Sequence, residues 1–216
     1  MSAYQYIKTR LSDYGIAANN IIVDVLNYVM IEIGQPMHAF DSDKVNGKLS
    51  VRFGKKNETF HALDGQKYLL NNNIPVVADS NTVKAIAGVI GGKDSSVQIN
   101  TKNIIIECAY FNPEFVRLAS KKYRLQTDAS YRFERGVDPL MHSFAITRVL
   151  YLLSEHTTLH KINFFQKVDK LKINNKIKIN IEQFEKILGQ QIPKPKIIQI
   201  LKRLNFHPAI FNLFSF

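Results

Sequence analysis

Apolar side chains recur at helical spacing near the start of the chain. Val25, Leu26, Val29, Met30 and Ile33 fall on one side of a helix, so the pattern predicts a helix over 23–33. Gly34 stands where a C-terminal stop belongs, and Gln35-Pro36 breaks the pattern. A shorter helix is predicted over 3–14, closed by Gly15. From Leu49 the period changes. Short apolar segments over 49–53, 58–62, 66–70, 74–78, 83–90 and 103–108 alternate with turn residues and read as strands. Asp64-Gly65 is a hairpin turn, and Gly54, the asparagines at 71–73 and Gly91-Gly92 punctuate the rest. Asn112-Pro113-Glu114 supplies an N-cap, a first-turn proline and a first-turn acid for a helix to about Lys122. Asp138-Pro139 repeats the signature ahead of a helix over 139–154 carrying Ala145, Val149, Leu152 and Leu153. Further on, 176–180 reads as a strand, 181–188 as a helix ending at Gly189, and 195–204 as another helix.

This order implies an α+β domain over 1–155, a largely antiparallel sheet flanked by helices. A linker over 156–174 and a small second unit over 175–216 follow. With 45% hydrophobic and 22% charged residues, the 216-residue chain is a folded protein rather than a disordered tail. Its apolar runs are far shorter than the ~20 residues of a membrane span, so no membrane partner is expected. The N-terminus interleaves polar residues where a signal peptide needs an apolar region. A single cysteine, Cys108, excludes an internal disulfide and fits a reducing compartment. The expected location is cytoplasmic.

Charge changes the picture at one end. The net charge is +11, and residues 161–216 hold 11 basic against 3 acidic side chains. That segment calls for a polyanion or a missing partner surface, unless Lys172, Lys176 and Lys178 are simply solvated. The stretch 206–216 carries four phenylalanines and no charge, so the chain reads as cut inside a larger protein.

Three stretches hold candidate chemistry. In 23–41, Asn27 lies in the predicted helix, and His38 is expected on a loop after it, as a functional or a structural histidine. AIAGVIGG, residues 85–92, lacks the lysine and hydroxyl of a P-loop and is not a dinucleotide fingerprint. It is either a strand lining a pocket with its backbone or a tight sheet crossing. Glu107 interrupts the apolar strand IIIECAYF, where a carboxylate is costly unless paired. It is either a functional group or half of a buried ion pair with Arg132 or Arg135. HEXXH, GXSXG and CXXC are absent, so protease triads and zinc chemistry are not indicated.

Together, NIIVDVLNYVMIEIGQPMHAFD, AIAGVIGG, IIIECAYFNPEFVR and TDASYRFERGVDP resemble the editing module of bacterial phenylalanyl-tRNA synthetase β subunits. IEQFEKILG and IIQILKRLNF look like the opening of the next, winged-helix-like unit of that subunit. The resemblance implies hydrolysis of tyrosine wrongly esterified to phenylalanine tRNA. It implies that Glu107 accepts from the tyrosine hydroxyl, kept ionised by a nearby donor or arginine. It implies that His38 lies near the ester, that Asn27, Gly88, Thr127 and Ala129 line the pocket, and that Leu26 replaces a common threonine. The implied partners are phenylalanine tRNA and an α subunit in an α₂β₂ ligase. ATP and magnesium belong by resemblance to that whole complex, with no cofactor implied for this segment. A non-catalytic RNA-binding or subunit-interface piece of the same synthetase remains the alternative.

Overall fold

The structure, a computed structural model, describes residues 3–167 and 177–209. In chain order the elements are α1 (Ala3–Asp13), α2 (Ile21–Ile33), β1 (Met37–Asp41), β2 (Ser50–Phe53), β3 (Thr59–His61), β4 (Lys67–Leu69), β5 (Pro75–Ala78), β6 (Val83–Ile86), β7 (Ile90–Gly91), β8 (Ile104–Cys108), α3 (Pro113–Tyr123), α4 (Asp128–Phe133), α5 (His142–Ser154), α6 (Ile181–Leu188) and α7 (Lys194–Arg203). The fold is mixed α and β, and every strand pairing is antiparallel. The single sheet of the sequence reading is three sheets: a β1–β8 ribbon, a four-stranded sheet in the order β2-β5-β6-β7, and a β3–β4 hairpin.

Local chemistry explains most element ends. The Asn20 side chain accepts from the Val23 N–H at 3.0 Å and opens α2. Gly34, at φ +79°, closes it by donating its N–H to the Met30 carbonyl. Asp138 accepts instead from the Leu140 N–H at 2.9 Å, which spends the cap on a turn. Helix α5 therefore starts at His142, later than the proline predicts. The expected strand over 83–90 breaks at Gly88, whose φ of +70° turns β6 into β7.

The β1–β8 ribbon divides two cores. Met37, Ala39, Ile104 and Ile106 pack with α1, α2 and α5 around Ile7, Leu11, Val25, Val29, Val149 and Leu153. Phe40 and Ile105 belong to the other core, with Phe60, Val76, Ile86, Phe111, Val116 and Phe133. Alternation along each strand sends successive side chains to opposite cores.

The chain forms two compact units, Met1–Ile162 and Asn163–Phe216. In the second, Asn180 caps α6, and Gly189 at φ +72° ends it. Of the strand expected over 176–180, residues 177–180 are irregular, and Lys176 lies outside the described residues. So do Lys172, the linker residues 168–174 and the apolar end 210–216.

Candidate functional site

β1 is the element that positions the site. His38 therefore lies on a strand rather than the expected loop. The Gln35-Pro36 break ends the helix, but the extended residues after it find their partner in β8, far along the chain. In that register His38 stands directly opposite Glu107. Opposed residues of an antiparallel pair share a face, and here it is the face of Phe40 and Ile105, away from α2.

Neither polar group has a full set of partners among the described residues. His38 Nε2 is sealed from solvent with no hydrogen-bond partner among the described residues. The ring lies edge-on to Phe40, with centroids 4.5 Å apart. Burial pushes its pKa down to about 4, so the imidazole is neutral at physiological pH. Its seat is Gly91: a Cβ there would stand 2.5 Å from Nε2 and closer still to Cε1. Glu107 has no hydrogen bond or ion pair among the described residues, and burial alone lifts its pKa to about 7. The expected partners are engaged elsewhere, Arg132 with Asp128 at 2.9 Å and Arg135 with Glu134 at 2.7 Å. Among the described residues no ion pair forms at Glu107, and no arginine or donor holds the carboxylate ionised. Next along β8, burial and the Glu107 charge push the Cys108 thiol up to about 12.

The remaining predicted residues divide. Thr127 is the N-cap of α4: its hydroxyl accepts from the Ser130 N–H at 3.0 Å and donates to the Val89 carbonyl at 2.8 Å. That bond ties α4 to the turn between β6 and β7. Ala129 packs, half-buried, against the core holding Phe40 and Ile105. At Gly88 a Cβ would meet Val116 at 2.9 Å, Phe111 at 3.0 Å and Phe133 at 3.2 Å, so that glycine serves a tight turn against aromatic rings. Asn27 sits half-buried on α2, whose apolar residues pack on the other side of the ribbon. Leu26 is buried there, 4% exposed, and contributes to the helical core.

Gly91 does not stand out from the other glycines of AIAGVIGG in the sequence. The Gly-Gly doublet after an apolar pair was the available signal. ATP and magnesium, implied by resemblance for the whole complex, find no converging ligands among the described residues: no three histidine, cysteine, aspartate or glutamate side chains come together, and Lys84, the lysine next to AIAGVIGG, is locked to Asp79 at 3.1 Å. Two surface hollows lie elsewhere, one beside Lys8, Ser12 and Ile16 of the N-terminal segment, the other at 202–208. Chemistry points instead to the ribbon, where an imidazole with an unpartnered nitrogen stands opposite a carboxylate.

The B3/4 domain family matches residues 2–158. The phenylalanine–tRNA ligase β subunit of Aquifex aeolicus is 50% identical over 151 residues, covering 70% of this chain and 20% of that protein. The β subunit of Legionella pneumophila (strain Lens) is 47% identical over 148 residues, 68% of this chain and 19% of that protein. That of Aliivibrio fischeri is 38% identical over 201 residues, 92% of this chain and 25% of that protein. The chain thus spans about a fifth to a quarter of the length of these curated relatives. A solved N-terminal fragment of the phenylalanyl-tRNA synthetase β subunit from Pyrococcus horikoshii aligns with a TM-score of 0.42 at 13% identity, over 85% of this chain and 55% of that one, too loosely to argue from. On the family match over 2–158, the chain belongs to the B3/4 domain family, and its similarity is to phenylalanine–tRNA ligase β subunits.

Proposed function

We propose that this chain serves a phenylalanine–tRNA ligase, as the β-subunit segment that hydrolyses tyrosine mis-esterified to phenylalanine tRNA. The observation that carries the reading is the pairing of His38 with Glu107 across the ribbon, each with an unpartnered polar group facing the same side. A synthetic pocket for phenylalanine rejects an added hydroxyl only ~10²-fold, so a second site that reads the hydroxyl is needed. Glu107 is suited to that reading. Tyrosine brings the donor that the carboxylate lacks, and this donor favours its charged form. Phenylalanine brings none and leaves the half-buried acceptor without that bond, a loss of about 1–3 kcal/mol for a hydrogen bond to a charged group.

Hydrolysis then requires water at the ester carbonyl. The water oxygen bonds to the carbonyl carbon, the bond to the ribose oxygen breaks, and the leaving hydroxyl takes a proton. A neutral His38, on the same face as Glu107, orients that water or the terminal ribose. It is too weak a base to carry the rate alone. Positioning is the main source of acceleration.

Deacylation of tyrosyl- and phenylalanyl-esterified phenylalanine tRNA tests this reading, with the chain alone and assembled with an α subunit. Tyrosine should be released preferentially, and Glu107→Ala should lose that preference. If both esters are released equally by the parent chain, or Glu107→Ala keeps the preference, the reading fails.

A further inference from the structure

α4 carries a feature that hydroxyl recognition does not use. The Arg135 guanidinium lies 3.6 Å from the centroid of the Tyr131 ring, stacked on its face. It is held there by Nη1, which donates to the Tyr131 carbonyl at 2.8 Å and to Glu134 at 2.7 Å. Its Nε and Nη2 donors have no partner among the described residues. Both members are open to solvent, the Tyr131 residue 57% exposed and the Arg135 side chain 53%. A planar cation pre-stacked on an aromatic ring, with spare donors at its edge, is the surface that unstacked nucleobases use.

Its place in the fold is equally informative. The Tyr131 N–H donates to the Thr127 carbonyl at 2.9 Å. Tyr131 therefore sits one helical turn beyond the residue that ties α4 to the Val89 turn, on the same side of the helix. The plate is thus built onto the helix that borders the candidate site. The exposed guanidinium, with its spare donors beside the ring, suits a base and its phosphate.

We propose that the Tyr131–Arg135 plate stacks a base of the single-stranded 3′ end of tRNA and so delivers the terminal ester to the His38–Glu107 face. The delivery part rests on the editing reading, whereas the RNA contact does not. Tyr131 and Arg135 are positioning residues, with no contact to the reacting atoms.

The test uses the full chain and a short fluorescent RNA ending in CCA, read by anisotropy, with inorganic polyphosphate as the charge-only probe. Tyr131→Ala should weaken RNA binding roughly 5- to 100-fold, the range of a lost base–aromatic stack. Tyr131→Phe keeps the ring and should restore binding to within about twofold, which separates stacking from loss of fold. Arg135→Ala should weaken RNA as well, while polyphosphate should distinguish Tyr131→Ala little from the parent. In deacylation of tyrosyl-tRNA, Tyr131→Ala should raise KM far more than it lowers kcat. RNA affinity indifferent to both alanine variants, or polyphosphate and RNA weakened alike by Tyr131→Ala, overturns the plate. If RNA binding falls as expected but the parent chain does not prefer the tyrosyl ester, the plate stands as an RNA contact and the editing reading fails.

Discussion

Glu107 is a carboxylate kept where burial penalises its charge, and that has a measurable consequence. Its pKa is raised from 4.5 to about 7, so between those values the folded chain binds more protons than the unfolded one. Stability attributable to Glu107 therefore falls as pH rises through that window, by up to about 3 kcal/mol. His38 acts in the opposite sense. Its pKa is lowered from 6.5 to about 4, the unfolded chain binds more protons between these values, and its contribution is lost as pH falls through them. Glu107→Gln should thus match the parent near pH 4.5 and exceed it by up to about 3 kcal/mol above pH 7 in urea denaturation. A difference that does not change with pH would show that the carboxylate is not the buried titrating group. Gly91 makes a second point at this scale. Gly91→Ala should displace the imidazole, abolish tyrosine-selective deacylation, and cost about 1–3 kcal/mol by overpacking. In a His38→Ala background the obstructing ring is gone, so the same change should cost little stability. Equal costs in the two backgrounds would mean that Gly91 does not seat His38.

The elements of the site differ in how readily the sequence discloses them. Helix α2 announces itself by spacing and by caps at Asn20 and Gly34, and α3 by Asn112 and Pro113. β1 does not. Its five residues follow a helix stop, and only the distant pairing with β8 makes them a strand. Helix α4 is harder still, because six mostly polar residues carry no apolar period. Its signal is the Thr127–Ser130 capping box, with serine in place of the usual Glu or Gln. Glu107 stood out because one charge in an apolar strand is conspicuous, although the sequence does not say which arginine is free to meet it. The order of the four motifs named His38 and Glu107 as candidates, and only the three-dimensional pairing sets them opposite one another. Thr127 tests the joint between α4 and the Val89 turn. Thr127→Val keeps the shape but removes both hydroxyl bonds, and should cost about 1–2 kcal/mol. Thr127→Ser should recover most of that. Amide exchange at Ser130 should accelerate in the valine variant alone, and unchanged protection there would show that the cap does not hold α4.

At the scale of the molecule, the two compact units are unequal in what they bury. Both hydrophobic cores draw on residues up to Leu159 and no further. Among the described residues of the second unit, Ile197 is the one buried apolar side chain. Ile187 is 85% exposed there, Leu204 62% and Phe206 57%, on helices that bury little of their apolar surface. A unit of that size needs a real core to offset chain entropy of about 1–2 kcal/mol per residue, and these side chains do not supply one. The stability of the first unit should therefore be self-contained. A chain ending at Ile162 should unfold cooperatively, with a midpoint within a few degrees of the full chain, whereas 163–216 alone should show weak helicity and no cooperative transition. Function should divide differently. Residues 161–216 carry 8 of the 11 net positive charges, so removing them should weaken and flatten the salt dependence of RNA binding. The ester preference should survive the cut, because His38, Glu107, Gly91 and the Tyr131–Arg135 plate all precede it. Loss of cooperative unfolding in the shortened chain would mean that the apolar faces of α6 and α7 are part of what holds the first unit together.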